Sequence, residues 1–341
     1  MNAITLHGPG DVRVESVPDP RIVDPTDAVL RITTSAVCGS DLHQYHGRVT
    51  GLDPGIVMGH EFMGVVEEVG AAVRQIKKGD RVLAPFSISC GFCEWCRMRL
   101  PTQCATTGRA VFGGRFGKQY PGGQAEAIRV PFADHMCEPV PAGMTDEQVF
   151  FLGDILSTGI RPGDTVAVFG AGPVSLLALQ SAHLFGPSRV FVVDRVDYRL
   201  KLAEELGGIP VNLDRGDPAE QLRAQTRGRG PDAVLECVGH ETPFTQAIQA
   251  VRAGGTVSSV GVYVESSMGF PARDAFFKDL TLRMGICNAR NFITPLMPLI
   301  QNGRLQPTRI ITHTMPLADA PKGYAIFDRK EDRAIKVMLK P

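Results

Sequence analysis

Residues 165–175 of this 341-residue chain read TVAVFGAGPVS. This pattern predicts a buried strand that passes through a tight glycine turn into an apolar helix. Such a turn at a helix amino terminus lets backbone N–H groups and the helix dipole meet a pyrophosphate. Ser175 takes the place of a third glycine, and its small side chain still permits close packing of helix on strand. The segment therefore predicts a dinucleotide phosphate site at Gly170, Gly172, Pro173 and Val174.

A second predicted strand, Val190 to Val193, ends in Asp194, twenty-four residues after Gly170. A carboxylate at this point accepts hydrogen bonds from the adenosine ribose hydroxyls and repels a 2′-phosphate. The pattern favours NAD over NADP. Arg195 leaves the alternative open, because a guanidinium that turned inward would accommodate that phosphate.

The alternation of predicted strands and helices extends along the middle of the chain. From Asp164 onward short apolar runs alternate with helical stretches, which predicts βαβ units and a doubly wound parallel sheet. Up to about Val140 short alternating segments punctuated by Gly and Pro predict a β-rich region. The last apolar run, Ala334 to Leu339, predicts a strand that returns to the first domain. A chain of this length is expected to fold as two domains in the α/β class.

Lys plus Arg and Asp plus Glu balance at 36 each, and no block of like charge stands out. The balance favours a small-molecule ligand and argues against a nucleic-acid or membrane partner. The amino terminus lacks a basic start with a long apolar stretch, and no run of eighteen apolar residues follows. We expect a protein of the reducing cytoplasm, where thiolates stay available to metal.

Four of the eight cysteines form a compact motif, Cys90-x2-Cys93-x2-Cys96-x7-Cys104. Four thiolates around a tetrahedral zinc ion leave no position for water or substrate, so this site is predicted to be structural. Disulfides and scattered core cysteines are the alternatives for such residues.

A second set of potential ligands is dispersed along the chain: Cys38, His60 beside Glu61, and Asp154. One thiolate, one imidazole and one carboxylate leave a fourth position open on a zinc ion. That is the coordination a catalytic zinc requires.

Together these motifs, with Gly59-His60-Glu61-x2-Gly64-x5-Gly70, resemble the zinc-dependent alcohol dehydrogenases of the medium-chain dehydrogenase/reductase family. The resemblance implies two zinc ions per chain, with Cys38, His60 and Asp154 holding the catalytic one and Glu61 able to approach it. It implies a GroES-like β-rich catalytic domain at 1–157 and 284–341, a Rossmann NAD domain at 158–283, and a homodimer or homotetramer. Residues 153–159 look like a bacterial branch that includes the formaldehyde dehydrogenases.

The chemistry expected of such a site is reversible oxidation of a primary or secondary alcohol to an aldehyde or ketone. Zinc lowers the pKa of the alcohol, and the resulting alkoxide delivers hydride to C4 of the nicotinamide between the two domains. Ser40, two residues beyond Cys38, is placed to take the proton of the substrate oxygen. By resemblance the relay continues to His43, with His46 as the alternative.

One departure from the family concerns the connection at Gly159 to Arg161, where about eight residues of a linking helix are absent. Its loss is expected to affect the cofactor cleft or domain closure. The alternatives to a simple alcohol dehydrogenase are a polyol or amino-alcohol dehydrogenase, a formaldehyde dehydrogenase or aldehyde dismutase, and a non-catalytic NAD(H)-binding redox sensor.

Overall fold

The computed structural model describes residues 1–49, 51–98, 100–114, 119–149 and 163–341. They divide into two compact units. The first unit holds the described residues up to 149 together with 288–341, and the second holds 163–287. The chain therefore returns to the first unit at 287/288, four residues beyond the predicted 283/284. The other predicted boundary, at 157/158, lies outside the described residues, as do Asp154 and the shortened connection at 159–161.

The two units contain the following strands and helices. The strands are β1 (Asn2–Gly8), β2 (Asp11–Ser16), β3 (Ala28–Val37), β4 (Ile56–Val57), β5 (Phe62–Val69), β6 (Arg81–Leu83), β7 (Ala127–Val130), β8 (Glu138–Pro139), β9 (Thr165–Phe169), β10 (Arg189–Asp194), β11 (Ile209–Asn212), β12 (Ala233–Glu236), β13 (Thr256–Ser259), β14 (Thr281–Met284), β15 (His313–Pro316) and β16 (Val337–Lys340). The helices are α1 (Asp41–Tyr45), α2 (Glu94–Arg97), α3 (Ala133–Met136), α4 (Asp146–Val149), α5 (Pro173–His183), α6 (Asp197–Glu205), α7 (Pro218–Gln225), α8 (Glu241–Ala250), α9 (Ala272–Phe277), α10 (Arg290–Gln301) and α11 (Ala320–Arg329).

The second unit is built on a six-stranded sheet in the order β11-β10-β9-β12-β13-β14, in which every neighbouring pair is parallel. Its central strands are apolar without alternation, because helices cover both faces of a doubly wound sheet. All five residues of β9 are buried, and α5 packs on β9 and β10. The predicted doubly wound parallel sheet is confirmed, and β9 lies where a strand before the glycine turn was predicted.

The first unit has a β-rich architecture. A larger sheet runs in the order β15-β16-β3-β5-β6-β8, with β7 also paired to β3, and a smaller sheet runs β2-β1-β4. The final strand, β16, pairs antiparallel with β3, so the chain returns to the first unit as predicted, although β16 begins at Val337 rather than Ala334.

The pairing of β3 with β5 positions the candidate site. The two strands are antiparallel, with Ser35 opposite Phe62. The end of β3 therefore lies beside the start of β5, and residues that follow β3 meet residues that precede β5. Among the described residues, no helix has both the length and the apolar content needed to cross a bilayer.

Candidate functional site

The four cysteines of the compact motif converge on one point in the first unit. Their sulfur atoms all lie within 4.8 Å of one another. The sulfur of Cys93 is 3.5 Å from that of Cys96 and 3.8 Å from that of Cys104, and none of the four is in a disulfide. Sulfurs bound tetrahedrally at about 2.3 Å from zinc are separated by about 3.8 Å. The cluster therefore fits a zinc ion with four thiolate ligands, and the disulfide alternative is wrong.

The local backbone explains why these sulfurs converge. Gly91 has φ 83°, which turns the chain between Cys90 and the short helix α2. The N–H of Cys93 donates to the sulfur of Cys90 at 3.3 Å, and the N–H of Cys90 donates to the sulfur of Cys104 at 3.4 Å. Such bonds stabilise thiolates, which are the form that binds metal.

The thiols of Cys93 and Cys96 differ in pKa. Burial opposes ionisation, but backbone N–H groups outweigh it at Cys93 and lower the pKa of that thiol to about 6. At Cys96 burial dominates and raises the pKa to about 12. A divalent ion supplies the charge that lets all four ionise.

A second cluster forms where β3 ends and β5 begins. Cys38 directly follows β3, while His60 and Glu61 directly precede β5. One ligand atom from each of these three residues lies within 4.8 Å of the other two. The hydroxyl of Ser40 donates to the sulfur of Cys38 at 3.3 Å and lies 3.2 Å from Nε2 of His60. The donor set of thiolate, imidazole and carboxylate fits zinc.

Asp41 contacts both His60 and Cys38 of this second cluster. Its Oδ1 lies 3.1 Å from Nδ1 of His60, and its Oδ2 accepts the N–H of Cys38 at 2.9 Å. A carboxylate beside Nδ1 holds the proton of the imidazole there, which leaves Nε2 as the ligand atom. Burial lowers the pKa of His60, but the charges of Asp41 and Cys38 outweigh it and raise that pKa well above its usual value.

Asp41 is in turn hydrogen-bonded to buried residues of the protein interior. Gln124 donates from Nε2 to Oδ2 of Asp41 at 3.2 Å and to the carbonyl of Ala36 at 2.9 Å. Its Oε1 accepts the hydroxyl of Tyr324, on α11, at 2.9 Å. Gln124 and Tyr324 are both fully buried. This chain of hydrogen bonds fixes the side-chain orientation of Asp41 from a distant part of the sequence.

Glu61 forms an ion pair with Lys336, the residue that precedes β16. Lys336 is 1% exposed, which is exceptional for a lysine. Burial lowers the pKa of Lys336, but the charges of Glu61 and Cys38 outweigh it and raise that pKa above its usual value. The ion pair therefore holds the Glu61 carboxylate beside the buried ammonium group of Lys336.

Both histidines considered for the predicted proton relay are among the described residues. His43 lies in α1, directly beyond the Cys38 and Ser40 loop, and its role stays a prediction. His46, the alternative, has its Nε2 3.0 Å from Oδ1 of Asp328. Asp154, the predicted third ligand, lies outside the described residues.

The glycine turn in the second unit has the geometry that the sequence predicts. Gly170 has φ 97°, and α5 begins at Pro173. The N–H of Ala171 donates to Oδ2 of Asp194 at 2.7 Å, so the acid at the end of β10 is joined to the turn after β9. Gly172 has open space where a side chain would point, as a close approach of phosphate requires. Val174 lies in the first turn of α5, and Arg195 is exposed beside Asp194.

Sequence reasoning missed four residues: Asp41, Gln124, Lys336 and Glu236. Asp41 adjoins Ser40, and Lys336 interrupts an apolar run, so a charged residue in an unexpected place was the available signal. Glu236 ends the apolar strand β12 and is 0% exposed. Gln124 has no comparable signal in its sequence neighbourhood.

Comparisons with known proteins agree with this architecture. Residues 24–142 match the family profile "Alcohol dehydrogenase GroES-like domain", and residues 173–302 match "Zinc-binding dehydrogenase". The zinc-type alcohol dehydrogenase-like protein AdhB of Bacillus subtilis (strain 168) is 38% identical over 379 aligned positions that cover 100% of both chains.

Solved structures give the same result. Alcohol dehydrogenase TADH from Thermus sp. ATN1 is 42% identical, with a TM-score of 0.92 over 100% of this chain and 99% of that one. A zinc-binding dehydrogenase from Sinorhizobium meliloti 1021, bound to NADP, is 28% identical, with a TM-score of 0.84 over 100% and 99%. This chain belongs to the zinc-dependent alcohol dehydrogenases of the medium-chain dehydrogenase/reductase family, oxidoreductases that combine a GroES-like domain with a Rossmann domain.

Proposed function

We propose that this protein catalyses the reversible NAD-linked oxidation of a primary or secondary alcohol to an aldehyde or ketone. The observation that carries the proposal is the position of the Ser40 hydroxyl, 3.3 Å from the sulfur of Cys38 and 3.2 Å from Nε2 of His60. A proton-transferring group stands directly at the two atoms best suited to hold a metal. A metal site with only a structural role has no need of such a group.

Zinc in this cluster would act as a Lewis acid on the substrate oxygen, and NAD would accept the hydride. Cys38, His60 and Asp154 are the proposed protein ligands, and the four-cysteine cluster is the proposed structural site. The residues around the Cys38 and His60 site have distinct proposed roles. Ser40 takes the proton from the substrate oxygen, while Asp41 keeps Nε2 of His60 free for the metal.

The relay beyond Ser40 is proposed to pass through His43. His43 lies one helical turn beyond Ser40 at the start of α1. His46 is the alternative, and its Nε2 lies 3.0 Å from Oδ1 of Asp328.

For the cofactor we propose NAD over NADP. Asp194 stands where the adenosine ribose is expected, joined to the glycine turn through Ala171. A second negative group, the 2′-phosphate, would be repelled there. Arg195 is the residue through which NADP would bind if this preference failed.

We further propose a homodimer or homotetramer assembled through the second unit. β14 is one of the two edge strands of the six-stranded sheet, and Met284 at its end is 49% exposed. Phe276 and Phe277, on the preceding helix, are 78% and 74% exposed. An unpaired strand edge beside exposed aromatic rings is typical of a surface covered by another copy. Analytical ultracentrifugation tests it, and a strictly monomeric profile would contradict it.

The function is tested by following NADH formation at 340 nm. Purified protein is mixed with NAD or NADP and with primary alcohols, secondary alcohols or polyols, with and without a zinc chelator. Turnover that the chelator abolishes is the expected result. Cys38→Ser is expected to abolish turnover and retain NADH binding, because the thiolate ligand is lost and the second unit is untouched.

Cys137→Ser is the matched control, since Cys137 is buried and lies outside both clusters. It is expected to keep most of the activity. Protein with two zinc ions that oxidises no alcohol would contradict the proposal. Conversion of an aldehyde into equal amounts of alcohol and acid, without added NAD, would instead indicate a dismutase that retains its nicotinamide cofactor.

A further inference from the structure

Glu236 is a buried carboxylate at the carboxyl end of β12, and the chemistry proposed above gives it no task. Its Oε1 accepts the N–H groups of Val238 at 2.7 Å and Gly239 at 2.9 Å. Its Oε2 accepts the hydroxyls of Ser259 at 2.7 Å and Tyr263 at 2.7 Å. Two oxygens thus receive four hydrogen bonds, which is the full acceptor capacity of a carboxylate.

The four donors belong to two different loops. Val238 and Gly239 follow β12, whereas Ser259 ends β13 and Tyr263 follows it. The backbone carbonyl of Glu236 also accepts the N–H of Val260 at 2.9 Å. One residue therefore fixes both loops through its side chain and its backbone.

Glycines bring these loops into contact. Gly239 has φ 80°, and a side chain there would overlap the backbone of Val262. Gly261 lies against the backbone of Gly239 in the same way. The loops are packed backbone to backbone, and the carboxylate below them supplies the hydrogen bonds that hold this arrangement.

The loops lie at the carboxyl edge of the sheet, where the order of the strands reverses between β9 and β12. In an open sheet of this order, a dinucleotide lies across that edge, with one half on each side of the reversal. The glycine turn and Asp194 belong to the side of β9 and β10. The loops that Glu236 joins belong to the other side, which receives the nicotinamide half.

Two apolar side chains on these loops face outward. Val238 and Val262, one on each loop, are each 48% exposed. Val238 also borders the glycine turn, because its Cγ2 lies 3.0 Å from where a Cβ on Gly170 would be. Two half-exposed valines, one of which borders the glycine turn, form a surface suited to a flat, largely apolar ring.

We propose that Glu236 is a positioning residue for the nicotinamide half of the cofactor site. It sets the two loops at the spacing that the nicotinamide ring requires, without touching the cofactor. The inference rests on the proposed NAD-linked function. It adds that the two halves of the site depend on different residues, Asp194 for adenosine and Glu236 for nicotinamide.

The test compares binding of NADH with binding of ADP-ribose, which lacks only the nicotinamide ring. Glu236→Leu leaves buried N–H groups without an acceptor, so NADH is expected to bind about tenfold more weakly. ADP-ribose is expected to bind within about twofold of its normal affinity, because it lacks the nicotinamide ring that the two loops position. Glu236→Gln is expected to restore NADH affinity to a large extent, since both hydroxyls can rotate to accept from the amide.

Tyr263→Phe removes one donor and keeps the carboxylate, so it decides the question if Glu236→Leu does not fold. It is expected to weaken NADH binding about threefold and leave ADP-ribose unchanged. Asp232→Asn is the matched control, because Asp232 precedes β12 at the opposite edge of the same sheet. It is expected to lower stability without changing the ratio of the two affinities.

Equal weakening of both ligands by Glu236→Leu, or by Tyr263→Phe, would overturn the inference and leave NAD binding intact as a proposal. Variants that bind both NADH and ADP-ribose with unchanged affinity would overturn the inference as well. Wild-type protein that binds neither ligand would overturn the proposed NAD-linked function together with this inference.

Discussion

Nδ1 of His60 lies 3.1 Å from Oδ1 of Asp41, whose side chain is only 1% exposed. This contact decides which nitrogen of His60 faces the candidate metal site. Oδ2 of the same carboxylate is already occupied by the N–H of Cys38 and the amide of Gln124. One acidic residue therefore orients both non-carboxylate ligands, and its substitution should affect the metal before it affects the fold.

Asp41→Asn should weaken zinc binding at the Cys38 and His60 site about 10- to 100-fold. An amide has one acceptor oxygen, so it must present its NH2 group either to the imidazole or to the donors on Oδ2. After dialysis against a chelator, elemental analysis should find one zinc per chain in the variant and two in the wild type. Asp328→Asn, which removes the partner of His46, is the control and should retain both. Equal zinc content in Asp41→Asn and wild type would contradict the role of Asp41.

Lys336→Met should destabilise the first unit by about 2 kcal/mol. The loss falls below the 3–5 kcal/mol typical of fully buried pairs, because the side chain of Glu61 keeps 21% exposure. Glu61→Gln in the Lys336→Met background should recover part of this loss, since no uncompensated carboxylate remains. A double-mutant cycle by denaturant unfolding measures the coupling. Strictly additive losses would show that the pair contributes no coupling energy.

The sequence predicts local structure well where a pattern is confined to neighbouring residues. The β9 strand and the glycine turn follow from eleven consecutive residues, and the four-cysteine cluster from fifteen. Hydrophobic run length and ligand spacing are local quantities, so one chain suffices to read them. The Cys38 and His60 pairing needed the family resemblance, because 22 residues separate the two ligands.

The surroundings of that site could not be predicted in the same way. Gln124 is 83 residues from Asp41 and 200 from Tyr324, yet the three form one chain of hydrogen bonds. Such contacts depend on how strands pair and helices pack, and no periodicity records them. Buried polar residues are fixed by their partners, and those partners become visible only in the folded chain.

Cys104→Ser should remove the structural zinc and lower the stability of the first unit by at least about 2 kcal/mol, because metal binding free energy is also folding free energy. That loss corresponds to a fall of about 4–8 °C in the midpoint of thermal unfolding. Zinc content should fall by one ion. Cys137→Ser, at another buried cysteine outside the cluster, should retain both ions. Full zinc content in Cys104→Ser would refute the four-thiolate site.

Asp232→Asn should destabilise the second unit by about 1–3 kcal/mol at neutral pH. The carboxylate accepts the N–H of Thr165 at 2.8 Å and Nε of Arg252 at 2.6 Å. Burial raises the pKa of Asp232, but these hydrogen bonds and the charges of Arg229 and Arg252 outweigh it and lower that pKa.

A lowered carboxyl pKa contributes stability that is fully present above the unfolded value of about 3.9 and is lost as pH falls through the folded value. The difference in unfolding free energy between wild type and Asp232→Asn should therefore be constant from pH 8 to about 5 and shrink below about pH 4. Asp214→Asn, at an exposed carboxylate, should change stability little at any pH. A difference that persisted undiminished in acid would contradict the assignment.

Asp194→Ala should shift cofactor preference toward NADP by at least about tenfold in the ratio of kcat/KM values. The carboxylate that would repel a 2′-phosphate is removed, while the exposed guanidinium of Arg195 remains next to the same position. The activity with NAD should also decrease, because the N–H of Ala171 in the glycine turn loses its acceptor. Adding Arg195→Ala to Asp194→Ala should cancel the gain with NADP without restoring NAD. An unchanged ratio in Asp194→Ala would mean that the adenosine ribose lies elsewhere, and the glycine turn would then have to recognise phosphate without help from the second strand.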